Sequence, residues 1–502
     1  MAKICICLTG KTLAQNLEIL EKNRKFVDLA ELRVDCLDSD ERFHIRRFPE
    51  MAGLPVILTV RRVHEGGHFV GGEGSRTSLL AKGLAYAAAD QRRNFAYVDL
   101  EEDLYVPSLE EAARTFGTTI IRSWHNMEGV DEDLPGRIKK LRRLGNELVK
   151  VVVMPRSLDD VVKVYRAAKE TEGVDKILHC MGDYGVNTRI LSEVLGSRIT
   201  YTIPAEESGT MSATPGMLDP KELAELYRFR EITTKTKIFA VTGYPLKVTS
   251  SPFFFNTVFG MEQTDAVFVP IPADSIDSIL TLAEEIGISG LSVTVPYKEK
   301  VLPLLAHKSK EVASIGACNT IVASPEGWMG YNTDAAGFSD SLLSYIGKKD
   351  LRGRKITIIG AGGGAKAAAS EVHRLKGKAL ILNRTPARAR NLAEPYRFLW
   401  GGFDNRGAVL MEKFSSIIIQ ASPVGMEPDT GEDPIEFYKF SGREIVMDFI
   451  YKPQKSLCLQ RAEKAGCRIL NGSDMLHRQA RYQYVYYMNR EFPPSLVSRV
   501  RI

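Results

Sequence analysis

The chain has 502 residues, 44% of them hydrophobic and 26% charged, with a net charge of +5; that length predicts two to four domains, and that balance an ordinary globular protein. A net charge so small, with no Lys/Arg block and no basic stripe interleaved with aromatics, argues against a nucleic-acid partner. No run approaches the roughly 20 apolar residues of a membrane span, so no membrane partner is expected either.

The seven cysteines include no CxxC pair and fall mostly in apolar runs. They read as small hydrophobes in a reducing compartment, not as a disulfide framework or a metal site. Neither a signal-peptide nor a transit-peptide pattern is evident, and a cytoplasmic location is expected. Oligomeric state leaves no trace in the pattern.

In chain order, strand-like runs fall at 4–9, 26–35, 55–60, 96–101, 119–125, 149–154, 176–181 and 199–205, with segments of helical period between them. Alternating strands and helices predict a parallel sheet, and eight strands in this length predict a (β/α)₈ barrel. Glu31, Arg33, Arg61, Glu101, His125 and Lys150 all sit in or at the ends of these runs. In a barrel, C-terminal strand ends converge on one mouth, where active sites are built.

Lys150 interrupts the apolar run Leu148–Pro155. Taken alone it reads as a strand-end lysine reaching for solvent. Burial, however, lowers a lysine's pKa and makes its amine a nucleophile able to form a Schiff base with a ketone. His125 ends the preceding strand, beside Lys150, where it would shuttle protons, and Glu101, one strand earlier, is placed to orient it.

With those residues in view, Glu31-Leu32-Arg33-Val34-Asp35, Thr59-Val60-Arg61 followed by Glu65-Gly66-Gly67, Asp99-Leu100-Glu101, Ser123-Trp124-His125 and Lys150 through Pro155 resemble type I 3-dehydroquinate dehydratase over residues 1 to about 226. The resemblance implies metal-free dehydration of 3-dehydroquinate to 3-dehydroshikimate. It makes Lys150 the imine-forming residue, His125 the proton shuttle and Glu101 its holder. Arg189 would clamp the substrate carboxylate, while Glu31, Arg33 and Arg61 would bind hydroxyls and order the site. One departure lies in Ser212-Ala213-Thr214-Pro215-Gly216-Met217, where Met217 stands in place of a substrate-contacting glutamine. A thioether cannot replace an amide's donor and acceptor.

The polar segment Tyr227–Lys237 reads as a domain boundary. Beyond it, strands are predicted at 238–243, 266–272, 290–296 and 327–334, then at 356–360, 378–383, 415–421 and 444–450. The strand at 356–360 runs into Gly360-Ala361-Gly362-Gly363-Gly364-Ala365 and a small-residue helix, the pattern of a Rossmann dinucleotide site. The next strand ends in Asn383-Arg384-Thr385, with Arg388 one turn on, where an NAD site would carry an acid. Cations there favour the 2′-phosphate of NADP(H). Ahead of the loop, Lys298 is placed to protonate a carbonyl and Asp334 to hold its ammonium, although either alone reads as a surface charge.

Together with Gly243-Tyr244-Pro245, Gly316 through Thr320, Ala421 through Met426, Asp448 through Tyr451 and Gly472 through Gln479, these motifs resemble shikimate dehydrogenase over about 238 to 490. The resemblance implies NADPH-dependent reduction of 3-dehydroshikimate by Lys298 and Asp334. Thr249, Ser251, Thr294, Asn319, Tyr451 and Gln479 would bind the ring, and Gly472 would belong to the cofactor side. Val248 and Phe255 depart from the family pattern in the first substrate loop, which is placed to tune shikimate against quinate, and Ser292 replaces the Asn common in bacterial enzymes.

The expected organisation is a barrel over 1–232, a substrate-binding subdomain over 238–335 with helices 474–502 packing back, and a Rossmann subdomain over 336–473. The product of the first implied reaction is the substrate of the second. The alternatives are a chain with only its dehydrogenase half fully active, a quinate-accepting second half, or a non-catalytic sensor of these metabolites.

Overall fold

The structure, a computed structural model, describes residues 1–85, 91–207, 215–246 and 249–500. Eight strands form the first sheet: β1 (Lys3–Leu8), β2 (Leu29–Arg33), β3 (Val56–Thr59), β4 (Tyr97–Glu101), β5 (Thr119–Asn126), β6 (Leu148–Val153), β7 (Lys176–Cys180) and β8 (Ile199–Thr202). All pair in parallel in the order β7-β6-β5-β4-β3-β2-β1-β8. The β7–β8 seam closes through Arg198 N donating to Lys176 O at 2.8 Å, Leu178 N donating to Ser197 Oγ at 3.1 Å and the isolated bridge Lys176–Ser197. This is the (β/α)₈ barrel that the strand count predicts.

Strand period decides what fills it. Cys5, Cys7, Leu29, Ile57, Ile121, Leu148, Ile177, Ile199 and Tyr201 pack into one cluster, with Tyr97 and Met217 against it. Side chains two residues apart share a face. The same inward face therefore carries Glu31 and Arg33 above Leu29, Asp99 and Glu101 above Tyr97, Ser123 and His125 above Ile121, Lys150 above Leu148 and His179 above Ile177. An apolar floor thus underlies a polar layer at the C-terminal strand ends. Arg122, of opposite parity, faces the helical shell, where it pairs with Glu110 at 2.7 Å and Glu147 at 2.9 Å.

The chain divides into two compact units, Met1–Ile238 with Phe259–Ile288, and Phe239–Val258 with Ser289–Ile502. The first unit thus takes in strand Ala266–Pro272 and helix Ile276–Ile286. That helix lies along helix Leu158–Glu170, where Arg166 Nε and Lys169 Nζ reach the Glu285 carboxylate at 2.9 and 2.7 Å.

In the second unit, strands Lys237–Gly243, Ile288–Val293, Thr320–Ser324, Gly327–Tyr331 and His307–Lys308 follow one another in a mixed sheet. A second sheet is wholly parallel: Leu399–Gly401, Lys378–Leu382, Lys355–Ile359, Ile417–Gln420, Ile445–Asp448, Arg468–Leu470. Its order, numbered from the strand Lys355–Ile359, is 3-2-1-4-5-6, the doubly wound pattern, and it puts that strand at the topological switch point. Among the described residues no helix is long and apolar enough to cross a membrane, and all seven cysteines are free thiols.

Candidate active sites

The barrel holds a cavity of about 310 Å³ lined by Glu31, Arg33, Arg61, Glu65, His125, Lys150, His179, Arg189, Tyr201 and Met217, among others. Lys150 is 4% exposed. Its Nζ donates to Asp99 Oδ2 at 3.1 Å and Glu31 Oε1 at 3.4 Å. Burial raises both carboxylates; the charges of Arg61 and Lys150 outweigh it at Asp99, and those of Lys150 and Arg33 at Glu31, so both stay ionised. The amine is desolvated, as the strand pattern predicts, and is also flanked by two anions.

His125 lies on the strand next to Lys150, its Nδ1 3.0 Å from Glu65 Oε2. Burial, then the positive charges of Arg61 and Lys150, hold its pKa well below the ordinary histidine value. It is therefore a neutral base at neutral pH. Here the sequence reading is corrected: Glu101 does not hold His125. Its carboxylate is engaged by Arg61 Nη1 at 3.2 Å and by the fully buried Arg76, whose guanidinium enters from helix Glu73–Leu84. Two buried cations outcompete a neutral imidazole for that anion. Glu65, in the short turn after β3, takes the orienting place.

Arg61 is the hub of this network. Besides Glu101 it binds Glu65 at 3.1 Å, Ser123 Oγ at 3.0 Å and Asp99 at 2.6 Å. Arg33 is gripped bidentately by Asp35 at 2.9 and 2.7 Å. Both arginines line the cavity, but the geometry makes them first of all the charges that hold its acids. Arg189 differs. It is buried, and its Nε and Nη2 have no hydrogen-bond partner among the described residues. Burial pushes its pKa down to about 10, which still leaves it cationic. Two orphaned donors of a buried cation are a seat for an anion. Met217 faces this cavity with a thioether; Ser212, Ala213 and Thr214 lie outside the described residues.

The two glutamates separate by experiment. Glu65→Gln should lower the dehydration rate about 10- to 100-fold, since partial loss of base orientation costs less than the base itself, and should cost less stability than loss of Glu101, because Arg61 keeps Asp99 and Glu101 as partners. Glu101→Gln should instead destabilise the barrel by about 3–5 kcal/mol, because it strands buried arginine charge. Thermal melts beside steady-state rates check this; a Glu101→Gln variant that is stable but inactive would restore the role first read for Glu101.

In the second unit a cavity of about 220 Å³ is lined by Thr249, Ser251, Ser292, Thr294, Lys298, Asn319, Asp334, Tyr451, Gly472, Gln479 and Gln483, among others. Lys298 Nζ meets Asp334 Oδ2 at 2.5 Å. Asp334 opens helix Asp334–Ile346, where the helix dipole favours its negative charge. Its other oxygen accepts from Asn319 Nδ2 at 2.9 Å, and Gln479 Oε1 accepts from Thr333 Oγ1 at 3.2 Å. All the ring-binding residues expected from sequence thus face one cavity. Phe255 does not: it is buried against Phe254 and Tyr487. Val248 lies outside the described residues.

Ser292 Oγ is bonded to Gln483 Oε1 at 3.0 Å and to the Tyr487 hydroxyl at 2.9 Å. Gln483 was not singled out from sequence, although it stands one turn after Gln479 on the same helical face. The inward parity of the barrel strands likewise marks Asp99, His179 and Tyr201, which the sequence reading left without roles.

Strand Lys355–Ile359 ends at Gly360, whose φ of +112° favours glycine. Ala361 and Gly362 lead into helix Gly363–Arg374, which begins with Gly363, Gly364 and Ala365. A Cβ on Gly363 would come within 2.9 Å of Lys298 Cδ, so the glycine lets the lysine stem cross the helix N-terminus into the cavity. Backbone N–H groups at that terminus suit a pyrophosphate. Asn383, Arg384 and Thr385 follow strand Lys378–Leu382; Asn383 Nδ2 donates to Thr385 O at 3.0 Å, and Arg384 and Arg388 are exposed cations with no acid among those positions. Gly472, at the start of helix Ser473–Met488, lines the same cavity as Gly364 of the glycine loop.

Known proteins bear likenesses to both halves. The type I 3-dehydroquinase family matches residues 4–234, and the shikimate dehydrogenase substrate binding domain matches 241–321. The bifunctional 3-dehydroquinate dehydratase/shikimate dehydrogenase, chloroplastic, of Arabidopsis thaliana is 28% identical over 495 residues, covering 93% of this chain and 79% of that protein. The shikimate dehydrogenase (NADP(+)) of Caldanaerobacter subterraneus subsp. tengcongensis is 34% identical over 273 residues, 53% of this chain and 97% of that one. Among solved structures, the dehydroquinate dehydratase and shikimate dehydrogenase from S. pombe AroM aligns over 99% of this chain and 98% of that chain, at 22% identity and a TM-score of 0.43.

Proposed function

We propose residue roles for two successive reactions, in a chain that belongs to the shikimate dehydrogenase family and carries a type I 3-dehydroquinase domain ahead of that unit. It is a bifunctional dehydroquinate dehydratase and NADP(H)-dependent shikimate dehydrogenase. The functional division we adopt is 1–232 for dehydration, 238–335 with 474–502 for substrate binding in the reduction, and 336–473 for the cofactor.

In the barrel, Lys150 attacks the substrate ketone and water leaves, giving an imine. That imine draws electrons from the adjacent carbon and acidifies its C–H. Neutral His125, oriented by Glu65, takes the proton and returns it to the departing hydroxyl, and water then hydrolyses the imine, releasing the product ketone and the Lys150 amine. Asp99 and Glu31 hold the amine in place, and Arg189 takes the carboxylate. The observation that carries this reading is a buried lysine on the strand beside a neutral histidine, in a cavity that also presents two donors of Arg189 with no partner among the described residues. Its test is borohydride trapping: wild-type protein incubated with 3-dehydroquinate should gain the reduced adduct on the peptide containing Lys150. An adduct on another lysine, or none, overturns it.

In the second unit, Lys298 donates a proton to the carbonyl oxygen and Asp334 holds its ammonium. Thr249, Ser251, Thr294, Asn319, Tyr451 and Gln479 bind the ring. NADPH, when bound, supplies the hydride. The glycine turn and helix N-terminus would hold its pyrophosphate, and Asn383, Arg384, Thr385 and Arg388 its 2′-phosphate. Arg384→Ala should therefore weaken NADPH by about 10- to 100-fold, as expected for losing a charged hydrogen bond, and leave NADH unchanged in binding titrations; equal losses for the two cofactors would contradict the assignment. The free, mostly buried cysteines support a reducing, cytoplasmic setting.

A further inference from the structure

Tyr201 is an inward residue of β8. It is 3% exposed and lines the barrel cavity, and its hydroxyl has no hydrogen-bond partner among the described residues. An unmade hydrogen bond on a buried hydroxyl is a cost that phenylalanine at the same place would avoid. The hydroxyl therefore calls for an occupant of the cavity.

Two contacts fix the ring. Lys150 Nζ lies 4.2 Å from its centroid, so a cation on that nitrogen sits over the negative face of the π system. His179 meets the ring edge-on, with centroids 6.4 Å apart and planes at 88°. Burial, then the charge of Arg189, pushes the His179 pKa down to about 3, so this ring is neutral. Its Nε2 faces Ile199 O at 2.7 Å. A carbonyl can only accept, so Nε2 carries the proton and the imidazole is anchored as a wedge beside Tyr201.

We propose that Tyr201 is a further substrate-contacting residue of the dehydration: its ring supports the positive charge that develops on the Lys150 nitrogen as the iminium forms, and its hydroxyl joins Arg189 in holding the substrate carboxylate. The proposal rests on the roles given above to Lys150 and Arg189. A carboxylate offers about four lone-pair sites. The Nε and Nη2 of Arg189 fill two, and a phenol O–H is suited to a third. Arg189 and Tyr201 line the same cavity, close enough that the charge state of one acts on the other. The neutral amine adds to the carbonyl carbon, the carbinolamine hydroxyl takes up a proton and leaves as water, and the positive charge then appears on the same nitrogen, at the ring face.

Tyr201→Phe keeps the ring and removes the hydroxyl. It should raise KM for 3-dehydroquinate about tenfold with the single-turnover rate of borohydride-trapped imine unchanged. Tyr201→Leu removes both and should also slow imine formation about tenfold. Each variant's reduction of 3-dehydroshikimate and its thermal melt report that the chain is folded. An unchanged KM in Tyr201→Phe overturns the carboxylate contact, and wild-type trapping rates in Tyr201→Leu overturn the role of the ring. Absence of trapping in the wild-type protein would instead strike the assignment of Lys150 and take this proposal with it.

Discussion

Replacing Lys150 by alanine is expected to reduce dehydration of 3-dehydroquinate by at least about 10⁴-fold, since loss of a covalent nucleophile commonly costs on the order of 10⁶-fold in kcat. The same protein should reduce 3-dehydroshikimate at the unmutated rate. The size of the effect follows from what remains. Neutral His125 and the Arg189 donors still bind and orient substrate, but without the amine no electron sink exists and the C–H keeps its ordinary acidity. The substitution also strips a cation from Asp99 and Glu31, both buried. Loss of one partner from a buried pair costs about 3–5 kcal/mol, so Lys150→Met, which keeps most of the volume, is the second variant, and both need melts. A loss smaller than about tenfold in a folded variant would sink imine catalysis here.

Lys298→Ala should lower kcat for reduction of 3-dehydroshikimate by about 10²- to 10⁴-fold, the usual contribution of a positioned general acid, without weakening NADPH and without touching dehydration. Lys298 is not a loose surface cation: Asp334 binds it at 2.5 Å, Asn319 braces Asp334 at 2.9 Å, and Gly363 leaves room for its stem. Asp334→Asn keeps the shape but removes the counter-charge, and should cost less than loss of the lysine. Stopped-flow hydride transfer beside NADPH titration checks both. Equal losses in rate and NADPH affinity would make Lys298 a cofactor-binding residue instead.

Much of this was legible in the sequence because strands of period two place chemistry predictably. Each barrel strand could be read as an apolar run with its polar residue near the C-terminal end, and the eight runs fall on eight strands. The parallel strand before Gly360 and its following helix were equally plain. What escaped depends on contacts across the fold. Glu101 sits on the strand beside His125, and nothing local reveals that Arg76 enters from a helix to claim it, or that Glu65 reaches back from a turn. The short strands His307–Lys308, Leu399–Gly401 and Arg468–Leu470 are held by neighbours rather than by any pattern of their own. Thr320–Ser324 hides in a polar motif and is made a strand by its antiparallel partner Gly327–Tyr331. Inclusion of Phe259–Ile288 in the first unit is lateral packing, which sequence order does not record.

Consecutive catalysis by one chain is tested most directly by mixing the purified protein with 3-dehydroquinate and NADPH and following NADPH oxidation, with Lys150→Ala as the paired sample. The account predicts oxidation with one shikimate formed per NADPH in the wild-type protein, and none from 3-dehydroquinate in the variant, which still oxidises NADPH when given 3-dehydroshikimate. Oxidation from 3-dehydroquinate that survives Lys150→Ala, or a wild-type protein that responds only to 3-dehydroshikimate, would contradict it.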